Sequence, residues 1–123
     1  MRELEELEEV FREAIERGEA VDVDLTLIEE VFGDEEVSEE EWRRVFCHEV
    51  PMLLLGVLAR FGSAVVFHRK DDIVAPEYIA IVNGNCLGID VKYDHHSDSI
   101  VLLAVYAISC NYAKSILSYY HPC

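Results

Sequence analysis

Asn83-Gly84 stands between two apolar stretches, residues 78–82 and 86–93, and it constrains this chain more than any other feature. The pair takes the positive φ values of a two-residue turn at little cost, so the flanking stretches are expected to form antiparallel strands. Residues 63–68 are also strand-like, and Asp71 and Asp72 mark a turn after them. Residues 52–61 are apolar almost all round, which predicts a buried central helix. Pro51 suits its first turn, where backbone donors lack intrahelical acceptors anyway, and Gly62 ends it. Residues 99–112 have helical length and spacing through Leu102, Leu103, Tyr106 and Ser109. Residues 114–120 are expected to form a last strand.

The first fifty residues read differently. Leu4, Leu7, Val10, Phe11 and Ile15 form a helical stripe over residues 2–17, and Gly18 supplies its C-terminal stop. Residues 19–24 alternate as a short extended segment. Asp24 then caps an expected short helix through Ile28, Val31 and Phe32, stopped by Gly33. Ser38 and Glu41 form a capping box that opens a helix through Trp42, Val45 and Phe46. The expected fold is therefore α/β: a small acidic helical subdomain over residues 1–50, then a helix–β–β–β–helix–β unit with a mixed sheet over residues 51–123.

Charge follows the same division. Residues 1–50 carry 19 acids against 5 bases, and residues 51–123 carry 6 against 5, so nearly all of the net −15 lies in the first part. Phosphate backbones are held mainly by Lys and Arg, so such a chain is a poor nucleic-acid binder by itself. It suits an assembly whose basic face belongs to another chain, or an acidic interaction module that occupies a basic site. No apolar run approaches the roughly 20 residues that cross a bilayer, and the opening Met-Arg-Glu-Leu-Glu-Glu is the reverse of a secretory leader. A cytoplasmic protein is expected. Cys47, Cys86, Cys110 and Cys123 include no C-x-x-C pair, and Cys86 and Cys110, in apolar stretches, are expected to be buried thiols.

Glu77, Asp90 and Lys92 are the most specific local pattern. They place two carboxylates on neighbouring strands of one hairpin and a lysine two residues after the second, on the same strand face. Such a set suits Mg²⁺ and an activated water for phosphodiester hydrolysis. The pattern resembles the PD-(D/E)xK nucleases, Holliday-junction resolvases among them, with Pro76-Glu77 as the first motif half, Asp90-Val91-Lys92 as the second, and Glu49 as the helix carboxylate. That resemblance covers residues 49–120 and implies a metal-dependent DNA nuclease with a restriction-endonuclease-like core.

A second resemblance runs along the whole chain. Glu13-Ala14-Ile15-Glu16-Arg17-Gly18-Glu19-Ala20-Val21, Val37-Ser38-Glu39-Glu40-Glu41, residues 53–66, and residues 99–117 with Lys114-Ser115-Ile116-Leu117 are similar in order to archaeal tRNA-splicing endonuclease subunits. That family cuts RNA at bulge–helix–bulge junctions without a metal, using a Tyr base, a His acid and a Lys. Only the lysine carries over, onto Lys114. The tyrosine position falls near Ile81 or Val82 and the histidine position near Gly84 or Asn85. Loss of base and acid forfeits on the order of 10²–10⁴-fold each. The resemblance thus implies a structural subunit without a cofactor, paired two plus two with a catalytic endonuclease subunit and reaching precursor tRNA through that complex.

Three further features carry less. His95-His96 with Asp94 and Asp98 reads as a solvated loop, and Cys47-His48 are helix neighbours that do not face each other. Tyr106, Tyr112, Tyr119 and Tyr120 suit base stacking or, more commonly, core and interface positions.

Overall fold

A computed structural model describes residues 2–18, 20–28, 38–94 and 99–122. Six strands form one sheet in the order β1-β5-β4-β3-β2-β6, with every described pairing antiparallel. The strands are β1 (Val21–Ile28), β2 (Ala64–Arg69), β3 (Tyr78–Val82), β4 (Asn85–Asp94), β5 (Ser99–Ile108) and β6 (Tyr120–Pro122). The helices are α1 (Arg2–Arg17), α2 (Glu39–Arg44), α3 (Val50–Leu58) and α4 (Cys110–Ile116). The α/β class expected from the sequence is what the chain adopts. No helix among the described residues is long and apolar enough to cross a membrane.

The β3–β4 hairpin forms around its Asn-Gly turn. Asn83 and Gly84 take φ of 48° and 81°, and Val82 pairs with Asn85. α1 buries Leu7, Val10, Phe11 and Ala14, the i, i+3, i+4, i+7 face of its stripe, and stops at Gly18, whose φ is 67°. The capping box forms as written: Ser38 N–H donates to Glu41 Oε2 at 3.2 Å, and Glu41 N–H donates to Ser38 Oγ at 3.3 Å.

α2 does not stop before Pro51. It runs through a π-helical turn, Val45–Glu49, directly into α3. Val50 N–H reaches back five residues to the Val45 carbonyl. Pro51 has no N–H and its ring crowds the carbonyl four residues before it, so a widened turn relieves the contact without breaking the helix. The domain boundary expected at residue 50 falls inside this continuous run, and β1 joins the sheet built by the later strands.

Three expectations are corrected. Residues 99–108 form a strand where a helix was expected, so the sheet is antiparallel and not mixed. β5 lies between β1 and β4, with Ile100 and Val105 buried against the helices and Ile108 partly buried on the opposite face. A strand apolar on both faces has no period-2 signature and imitates a helix. Residues 21–28 are likewise one strand, in place of an extended piece followed by a capped helix, because β5 offers them an edge. α4, residues 110–116, overlaps the end of the helix expected over 99–112 and replaces the start of the strand expected over 114–120: Ser109 is its N-cap, its Oγ accepting from Tyr112 N–H at 3.0 Å. The remainder of the expected helix ending near Phe32 lies outside the described residues.

Two cores result. α1, the π turn and α3 cover one sheet face, where Phe11, Val45 and Leu54 meet Tyr78, Leu87 and Ile89. α4 covers part of the other, where Ala113 and Tyr120 meet Ile79 and Cys86. Cys86 and Cys110 are not buried thiols. They form a disulfide with Cα atoms 5.4 Å apart, which ties the start of α4 to β4.

One surface contact links α1 to the end of α3. Glu8 accepts hydrogen bonds from Arg60 and Arg12. The Arg60 bond, more than anything else, holds the Glu8 carboxyl below its usual 4.5, aided by the charges of Arg60 and Arg12 against desolvation. The unfolded chain therefore binds more protons than the folded one between the two pKa values. The resulting stabilisation is present above the unfolded value and lost as pH falls through the folded one. Glu8→Gln is expected to lower the thermal midpoint slightly at neutral pH and to converge on the parent protein in acid. A deficit constant with pH would contradict this.

Candidate functional site

A polar grouping lies where β2, β6 and the π turn meet. β2 and β6 pair with His68 opposite His121, and both rings face the helical layer. The π turn brings Cys47 over this pair, with its Sγ 3.8 Å from His121 Nε2. The His68 ring lies 4.7 Å from that of Tyr78 and stacks on Phe46 at 6.0 Å. Tyr78 O–H donates to the Phe46 carbonyl, which fixes the π turn to the sheet. Burial, with the nearby Glu77 charge, pushes the Tyr78 phenol far up, so it acts as a neutral donor. Burial and the neighbouring charges of His68, Lys70 and Arg43 push His121 down. Cys47 is itself disulfide-bonded.

Glu77 sits at the rim of this group with 8% exposure. Its Oε1 lies 3.9 Å from both His68 Nε2 and Arg69 Nη2. Its backbone N–H donates to Asp90 Oδ1 at 3.0 Å, and Tyr106 O–H donates to Asp90 Oδ2 at 3.1 Å. The structure thus sets the Glu77 backbone against the Asp90 carboxylate. The two carboxyls serve different partners, however: Glu77 faces β2, while Asp90 ties the start of β3 to Tyr106. The Tyr106 ring lies over Gly88, where an added Cβ would meet its Cε2 at 2.5 Å and Pro76 Cγ at 3.0 Å. Burial chiefly, with the Asp90 charge, pushes the Tyr106 phenol up. Tyr120 donates to the Pro76 carbonyl and is pushed up to about 12, again mainly by burial. Tyr106 and Tyr120 are thus structural donors, whereas Tyr112 and Tyr119 are exposed.

Lys92 is exposed on β4, two residues beyond Asp90. Lys114 lies elsewhere, exposed in the last turn of α4 on the rim of an apolar pocket of about 240 Å³ lined by Ile81, Cys86, Cys110 and Leu117. Glu49 lies 3.7 Å from Arg44 and ends the π turn. Among the described residues, the three-member group of metal-ligand side chains is Cys47, His68 and His121, and it includes none of Glu77, Asp90 or Glu49. His95 and His96 lie outside the described residues. Sequence reading weighed Cys47 only against His48, which it set aside, and missed His68 and His121, since only the β2–β6 pairing and the π turn bring them together.

The acidic residues form the second feature. Glu5, Glu6, Glu9 and Glu16 on α1 and Glu39, Glu40 and Glu41 on α2 are exposed. α1 buries its apolar side in the core, so its acids lie on the outside of that helix, and α2 leads into the π turn, whose Val45 joins the same core. No protein-family model matches the chain, and no curated protein or solved structure does.

Proposed function

We propose that the chain is a non-catalytic, acidic partner subunit that holds a basic surface of a second protein, one that handles nucleic acid. The observation that carries this reading is the placement of charge. α1 and α2 carry exposed glutamates, while residues 51–123 are nearly neutral, with 6 acids against 5 bases. Complementary charge speeds association and selects among partners, and a chain that repels phosphate itself acts on nucleic acid through its partner.

The instance suggested by sequence resemblance is the catalytic subunit of a tRNA-splicing endonuclease, in a two-plus-two assembly acting on precursor tRNA. Helix α1 running through Gly18 into β1, and α3 running into β2, support that instance. The strand at 99–108, where a long helix was expected, does not. Lys114 then serves as a surface lysine of a subunit that leaves the chemistry to its partner.

Co-purification from the chain's own cells tests the reading. Glu5→Gln/Glu13→Gln/Glu16→Gln removes three charges from α1 without touching its buried face. The triple variant is expected to bind the partner roughly tenfold more weakly, with a shallower dependence on salt. Unchanged affinity and salt dependence would count against the acidic layer as the binding face.

A further inference from the structure

We infer that the reduced protein carries a binding site for one thiophilic divalent cation, with zinc the best fit, made by Cys47, His68 and His121. The three ligand atoms lie within 4.8 Å of one another and come from three separate elements: the π turn, β2 and β6. A tetrahedral zinc ion with bonds of about 2.0–2.3 Å sets its nitrogen and sulfur ligands roughly 3.6 Å apart. The Cys47 Sγ to His121 Nε2 distance is 3.8 Å, so this edge of the tetrahedron is nearly in place. The other two edges, within 4.8 Å, would have to shorten on binding.

The ligand chemistry is selective. One thiolate with two imidazoles suits zinc and other borderline-soft ions and disfavours Mg²⁺ or Ca²⁺, which take oxygen. The surroundings fit as well. Phe46 and Tyr78 pack on the His68 ring and fix its plane. The buried Glu77 carboxylate, 3.9 Å from His68 Nε2, is placed as an outer partner of the kind that orients a ligating imidazole. The π turn that delivers Cys47 is a helix irregularity of a type often found at functional positions.

The structure holds Cys47 in its oxidised, disulfide-bonded state. Disulfide and metal are therefore alternative occupants of the same sulfur. A phosphine reductant opens the disulfide: phosphorus takes one oxygen from water and each sulfur takes one proton. Metal binding then releases the Cys47 thiol proton to solvent.

The test is titration of the phosphine-reduced, metal-free protein with Co²⁺, followed by absorption. One equivalent is expected to give a thiolate-to-cobalt charge-transfer band and intense tetrahedral visible bands, both abolished by Zn²⁺. Cys47→Ser, which retains Cys86 and Cys110, is expected to lose the charge-transfer band. His68→Ala and His121→Ala are each expected to weaken binding more than about 100-fold, beyond the roughly 10–100-fold typical of an outer-shell loss. His48→Ala, beside Cys47 in the chain and exposed, is expected to bind like the parent. Reduced parent protein that is folded by circular dichroism yet gives no such bands overturns the inference without any variant. So does a charge-transfer band that survives in Cys47→Ser.

Discussion

Phe11→Ala is expected to lower the free energy of unfolding by about 3–5 kcal/mol. Phe11 is fully buried on α1, the helix that packs on α3, β1, β4 and β5 at once. Truncation removes the transfer energy of an aromatic side chain and leaves a void bordered by both helices and sheet. Those walls are held by strand pairing and cannot close on it. A domain of this size is typically stable by only ~5–15 kcal/mol, so the variant should unfold at much lower urea with a similar slope. A loss below about 1 kcal/mol would mean that α1 is not part of the core. Leu54 on α3, equally buried, tests the facing wall in the same way.

Removing the Cys86–Cys110 disulfide should cost nearly as much. Cys86 and Cys110 are 24 residues apart and enclose most of β4 and all of β5. Cross-linking a loop of that length restrains the unfolded chain by about 3 kcal/mol. Cys86→Ala/Cys110→Ala is therefore expected to melt roughly 10 °C below the oxidised parent. The bond also fastens a helix of only seven residues, Cys110–Ile116, to the sheet. The apolar surface around Ile79 and Ala113 is expected to become more accessible with it. Equal melting points under oxidising conditions would show that the link contributes nothing to the fold.

Local chemistry made some elements readable in advance. The β3–β4 hairpin was legible because Asn83-Gly84 satisfies a backbone requirement that few pairs meet. α1 was legible from its apolar stripe and its glycine stop, and the start of α2 from the reciprocal Ser38–Glu41 bonds. β5 was not, because burial on both faces erased the alternation that distinguishes a strand from a helix. β1 depends on β5 for its pairing and was lost with it. α4 turned on Ser109, which reads as a helix residue until it is seen to be a cap. The Glu77–Asp90 neighbourhood followed from the hairpin register, but the partners that occupy each carboxyl did not. The Cys47–His68–His121 grouping was beyond sequence reasoning altogether. It rests on a three-residue strand, Tyr120–Pro122, pairing with β2 and on the π turn that Pro51 induces.

The proposed role rests on a second, basic protein, and native mass spectrometry of the untagged chain purified at low salt from its own cells tests it most directly. The expected result is a defined hetero-oligomer, two plus two in the splicing-endonuclease instance, whose other subunit is basic and which dissociates as ionic strength rises. A chain that travels alone, as monomer or homodimer at every salt concentration, would contradict the partner-subunit reading.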